Sequence, residues 1–131
     1  MSALYLDGSA FVKLVVEETE SAAVRSLLAS RASRRVSSVL LRTESLRAVR
    51  HLGPDALATV RDGLRRVDLI AIDDRILDSA GTLEPRVLRT LDAIHLATAI
   101  AVGDDLEAIV TYDERMVEAA RLVGLATATP R

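Results

Sequence analysis

Four short strand-like runs, "ALYLD" (3–7), "RVSSV" (35–39), "DLIAID" (68–73) and "AIVTYD" (108–113), are separated by segments whose apolar residues recur every three or four positions. Short runs rich in Val, Ile and Leu read as buried strands, and the three-to-four period reads as amphipathic helix. Strands that alternate with helices leave few folds open. They predict an α/β architecture, a parallel sheet of four to five strands with helices on both faces. In such sheets ligands collect beyond the carboxyl ends of the strands. Asp7 and Asp113 each end a strand-like run directly before a helical segment, so two carboxylates far apart in sequence are expected on one rim.

The helical segments are expected from Ser9, as N-cap, through "AFVKLVVEE", then over about 19–31, 40–53, 54–67, 74–82, 88–102 and 114–124. Gly53 with Pro54, and Gly124, supply stop signals. "LATATP" reads as an edge strand halted by Pro130. There is no repeat, low-complexity tract or linker, and 131 residues suit one domain over 1–131.

Composition narrows the chemistry. Half of the residues are hydrophobic but only 2% are aromatic, so the core must be aliphatic. The absence of cysteine removes disulfides, thiolate metal sites and thiol nucleophiles together. No basic-flanked apolar leader opens the chain, and the apolar run around Ala97–Val102 is far short of a membrane span, so a cytoplasmic protein without membrane contact is expected. The formal charge of -2 is unevenly spread: residues 1–66 carry eleven Lys/Arg against seven Asp/Glu, and residues 67–131 carry six against twelve. Arg25, Arg31, Arg34, Arg35, Arg42, Arg47 and Arg50 form the densest basic section, either a solvated face or a phosphate-binding patch.

Two further carboxylates sit beside inward helical stripes. Glu44 lies among Leu40, Leu41 and Ala48, and Asp92 among Leu88, Leu91 and Leu96, in "LRTLDAIHLATAIA". A buried carboxylate needs a partner or a cation. Each acid also has a plain structural role open to it. Asp7 and Asp113 suit helix N-caps, Glu44 has Arg47 and Arg50 within reach, and Asp92 has Arg89 and His95. His95 itself is read as a packing or hydrogen-bonding residue. Taken together, four acids on one rim would raise one another's pKa unless a hard divalent cation lay among them, and oxygen-only ligands suit Mg²⁺ or Mn²⁺.

The chain resembles the PIN-domain family, and within it the VapC-type ribonuclease toxins. "LYLDGSAFVKL" is similar to the family's first strand with its Asp-x-Ser signature, carried by Asp7 and Ser9. "VSSVLLRTESLRAV", "LRTLDAIHLATAI" and "IVTYDERMVEAARLVGL" resemble the segments that supply the remaining acids, here Glu44, Asp92 and Asp113, with Thr111 just before the last. Gly8 stands where Thr or Ser is common, and Glu114 adds an acid after Asp113. The resemblance implies a metal-dependent endoribonuclease in which Asp7, Glu44, Asp92 and Asp113 hold one or two Mg²⁺ or Mn²⁺ ions, a metal-activated water cuts RNA, and Ser9 and Thr111 orient carboxylates or water. It implies tRNA or ribosomal RNA as substrate, a VapB-type antitoxin as partner, a homodimer, and DNA binding left to the antitoxin. The rival readings are a catalytically silent module of the same fold that binds RNA or a partner, and a phosphoacceptor signalling domain. The latter needs a late Lys, and the only Lys is Lys13.

Overall fold

The computed structural model describes all 131 residues. Five strands, β1 (Ala3–Leu6), β2 (Arg34–Ser38), β3 (Asp68–Ile70), β4 (Leu106–Val110) and β5 (Thr127–Ala128), form one sheet in the order β3-β2-β1-β4-β5. Every pairing is parallel. Central β1 is buried at all four positions, which is why it reads as a continuous apolar run. The chain builds outward from β1 to β3 on one side, then returns to lay β4 and β5 on the other. The order of strands therefore reverses between β1 and β4.

Alternation along β1 divides the core. Leu4 and Leu6 pack on one face with Ala10, Phe11, Val24, Leu28, Leu41, Val49, Val60 and Leu64. These belong to α1 (Gly8–Val15), α2 (Ser21–Ala29), α3 (Leu40–Val49) and α4 (Pro54–Leu64). Ala3 and Tyr5 face the other way, onto Leu96, Ala99, Met116, Ala119 and Ala120. That face is covered by α5 (Asp74–Thr82), α6 (Thr90–Val102) and α7 (Glu114–Leu122). The core is aliphatic apart from Phe11 and Tyr5, as the composition requires. None of these helices is long and apolar enough to cross a membrane.

The expected elements are all present, with three differences. The N-cap of α1 is Asp7 rather than Ser9: Asp7 leaves β1 with extended backbone and its carboxylate accepts from the Ala10 amide, so the helix already begins at Gly8. β3 is three residues long, because pairing with β2 covers only Asp68 to Ile70. The 40–53 helix ends at Val49 and tightens into a 3₁₀ turn, Arg50–Leu52.

Gly53 joins that turn to α4 with φ +96° and ψ -177°, a region that is essentially glycine-only. A methyl group there would meet no neighbour, so any penalty is conformational. Gly53→Ala should lower the unfolding free energy by about 1–3 kcal/mol. Gly81→Ala, in α5 with equally open surroundings and no positive φ, should leave stability unchanged or raise it by up to about 1 kcal/mol. Urea denaturation of the pair checks the contrast, and equal effects would refute it.

Candidate functional site

The loops after β1 and β4 meet where the strand order reverses. Asp7 follows β1, is buried to 6% exposure, and binds both loops together. Its Oδ1 accepts from Ser9 Oγ at 2.6 Å and from the Ala10 amide at 3.0 Å, and its Oδ2 accepts from Thr111 Oγ1 at 2.5 Å. Ser9 Oγ in turn accepts from the Tyr112 amide at 2.9 Å, and Thr111 Oγ1 accepts from the Asp113 amide at 3.0 Å. Asp113 caps α7 by accepting from the Arg115 amide. Both strand-end aspartates are thus helix caps and also members of one linked rim. Burial pushes the Asp7 carboxyl above its ordinary range, against the lowering effect of its three donors.

Asp92 enters from the first turn of α6 and is half-buried. Neither of its expected partners takes it up: no hydrogen bond from Arg89, His95 or any other group contributes to its environment. Its pKa is raised first by burial, then by the charges of Asp113, Glu44 and Asp7, with His95 partly opposing them. Those three are the other carboxylates of the sequence-derived set, so the fold brings all four into one electrostatic neighbourhood.

Glu44 projects from α3 and bonds neither Arg47 nor Arg50. Its Oε1 lies 2.5 Å from His95 Nε2, and the other ring nitrogen, Nδ1, lies 2.6 Å from Tyr5 Oη. His95 is 2% exposed and its ring stands edge-on to Tyr5, 5.9 Å between centroids at 82°. The hydrogen-bonding reading of His95 holds, but its partners were not anticipated. A signal was available: Tyr5 has the same strand parity as Asp7, and His95 lies one helical turn after Asp92, so both pairs point to the same place.

A groove of about 370 Å³ opens beside Glu44, lined by Gly8, Ser9, Lys13, Glu44 and Tyr112 among others. Lys13 Nζ is held 2.9 Å from Glu20 Oε2 and 4.7 Å above the Tyr112 ring. Of the basic section, Arg25, Arg31 and Arg34 are paired with Glu17, Glu107 and Asp68. Arg42, Arg47 and Arg50 are exposed along α3 and its following turn, outside the ion pairs of the chain. Glu114 is exposed.

No three acidic, His or Cys side chains stand close enough together to close a coordination shell by themselves. The donor set still fits a hard divalent cation. Asp92 is an unshared carboxylate among three others, all available donors are oxygen, and Mg²⁺ or Mn²⁺ keeps several waters and takes only one or two carboxylates directly.

A PIN domain family profile matches residues 4–122. The chain is 51% identical over 130 residues to Ribonuclease VapC46 of Mycobacterium tuberculosis, covering 99% of each. Its fold is similar to the crystal structure of Mycobacterium tuberculosis VapC20, a toxin described as cleaving the sarcin–ricin loop, with TM-score 0.76 at 16% identity over 97% of this chain and 99% of that one. It is similar also to a toxin–antitoxin complex from Klebsiella pneumoniae, with TM-score 0.76 at 21% identity over 99% and 98%.

The raised carboxyl of Asp92 has a consequence for stability. A folded chain that binds this proton more tightly than the unfolded chain loses stability as pH rises from the ordinary carboxylate range, about pH 4, through the raised value. Asparagine mimics the protonated acid. In metal-free protein, Asp92→Asn should melt above wild type at neutral pH, and the difference should shrink as pH falls toward about 4. Thermal melts in chelator across that range test it; a difference independent of pH would refute the electrostatic origin.

Proposed function

This chain belongs to the PIN domain family, and we propose that it is a VapC-type toxin of a toxin–antitoxin pair, an endoribonuclease that hydrolyses RNA phosphodiester bonds with the help of Mg²⁺ or Mn²⁺. The observation that carries the site assignment is the unshared Asp92 carboxylate, whose charged neighbours are Asp7, Glu44 and Asp113, at the reversal of strand order where α/β folds place their ligands. The whole-length identity to a named ribonuclease supports the reaction.

Asp7, Glu44, Asp92 and Asp113 would hold the ion, which when bound supplies a water of lowered pKa and neutralises charge on the phosphoryl oxygens. The chain's own contribution is geometric. Ser9 and Thr111 fix the Asp7 carboxylate from two sides, and Thr111 also fixes the start of the Asp113 turn. Asp92 offers a carboxylate with no competing donor, so its lone pairs are free for the ion or its waters. Base stacking has little to work with in a chain of two tyrosines, one phenylalanine and no tryptophan. Affinity for RNA then comes from phosphate contacts, for which Arg42, Arg47 and Arg50 are exposed and unpaired. A VapB-type antitoxin would restrain the enzyme in the cytoplasm, placing a basic group against the acidic rim, and the toxin would act as a homodimer; the similarity to a toxin–antitoxin complex supports the partner.

Purified protein should cut tRNA or ribosomal RNA in Mg²⁺ or Mn²⁺ and stop in chelator. Asp7→Asn should abolish cleavage while the chain stays folded, since Asn preserves the α1 cap; undiminished cleavage would overturn the assignment. Arg47→Ala should weaken RNA binding for all sequences alike and reduce the slope of log K against log salt by about 1. An unchanged slope would remove Arg47 from the RNA surface.

A further inference from the structure

We propose that Tyr5 and His95 form a buried positioning relay that sets the direction of the Glu44 carboxylate, with His95 held as the Nε2–H tautomer by the Tyr5 hydroxyl. The inference rests on the assignment of Glu44 to the metal-binding set and goes beyond it, since neither residue is needed as an ion ligand or a base.

The order of donors follows from the groups themselves. An ionised carboxylate only accepts, so His95 Nε2, 2.5 Å from Glu44 Oε1, must be the donor. A neutral imidazole carries one N–H, so Nδ1 is then an acceptor. Tyr5 Oη, 2.6 Å away, meets it as donor. Without Tyr5, either nitrogen of His95 could carry the proton, and in the Nδ1–H form two lone pairs would face each other across the Glu44 contact.

The relay also has a rigid footing. Tyr5 is the third residue of the central strand and is fully buried, and His95 is embedded in α6. Glu44 sits on α3, which packs in the other helical layer with Leu41 and Val49. The bond from His95 therefore reaches the Glu44 carboxylate from the opposite layer. A free glutamate on a half-exposed helix samples several rotamers, so a fixed donor reduces the entropy lost on binding a cation. This matches the outer partners that orient metal-ligating side chains, whose removal typically costs about 10–100-fold in affinity or activity.

The first test is nitrogen-15 NMR of the imidazoles in metal-free wild-type protein, with His51→Gln to assign the only other histidine. The expected result is a single Nε2–H tautomer for His95 with a bare Nδ1, turning into a tautomer mixture in Tyr5→Phe. A wild-type ring that is Nδ1–H, doubly protonated or averaged overturns the proposal. The second test is Mn²⁺ affinity by water-proton relaxation. His95→Leu, which keeps bulk but loses the donor, should bind about 10–100-fold more weakly, and His95→Gln, whose amide N–H reaches the same place, should recover most of that loss. Equal losses in both variants, or none in either, overturn the positioning role. A wild type that shows the tautomer and the affinity differences but cuts no RNA would uphold the relay and overturn the ribonuclease reading.

Discussion

Asp7 is where the two halves of the sheet are tied together. β1 and β4 are neighbours through their backbone ladder, but the loops beyond their carboxyl ends have no ladder to hold them. Three donors to one carboxylate do that work, one from the α1 backbone, one from the Ser9 side chain and one from Thr111 across the sheet. Charge-assisted bonds of this kind are roughly twice as strong as neutral ones. They also cap α1 and, through Thr111, lead into the Asp113 cap of α7. The starts of α1 and α7 are thus linked through the same carboxylate that belongs to the candidate site.

That economy creates a tension. Burying Asp7 and half-burying Asp92 beside two more acids disfavours the ionised forms, and the pKa directions of both record it. A structural protein would be more stable with amides there. Mutually repelling carboxylates at a ligand-binding location support the proposal of a cation site there. Around them, Glu44, itself one of the charges beside Asp92, is bonded to His95, and Lys13 on the groove wall is engaged by Glu20 and Tyr112.

The arginine-rich section shows how tertiary structure redistributes a sequence-level feature. Seven arginines between 25 and 50 look like one basic patch when read along the chain. Folding spends Arg25, Arg31 and Arg34 on acids contributed by other parts of the chain, two of them from the acidic half. Of the four left unpaired, Arg35 lies on β2, and Arg42, Arg47 and Arg50 line α3, the helix of Glu44, and its following turn. A diffuse excess of charge becomes a local one beside the site.

The sequence by itself determined the alternation of strand and helix, the parallel sheet, the place of nearly every element, and the four acids, because each depends on local periodicity or on a strand-end acid ahead of a helix. Asp7 and Asp113 were legible at strand ends for that reason, and the cap role, one of the alternatives, is the one the hydrogen bonds show. The cap of α1 was misplaced by two residues, at Ser9, because Ser9 and Asp7 both suit a cap and only the backbone direction leaving β1 chooses between them. The partner of Glu44, and the lack of one for Asp92, were not legible at all. Nearby arginines are the obvious sequence neighbours of Glu44, yet the bond runs to His95, 51 residues away, and on to Tyr5, 90 residues from His95. Sequence spacing fixes which face of a helix a side chain occupies. Which other face it meets is decided only when α3 and α6 pack on opposite layers of the sheet, because a hydrogen bond needs its atoms within a fraction of an ångström and no local rule carries that precision across the core.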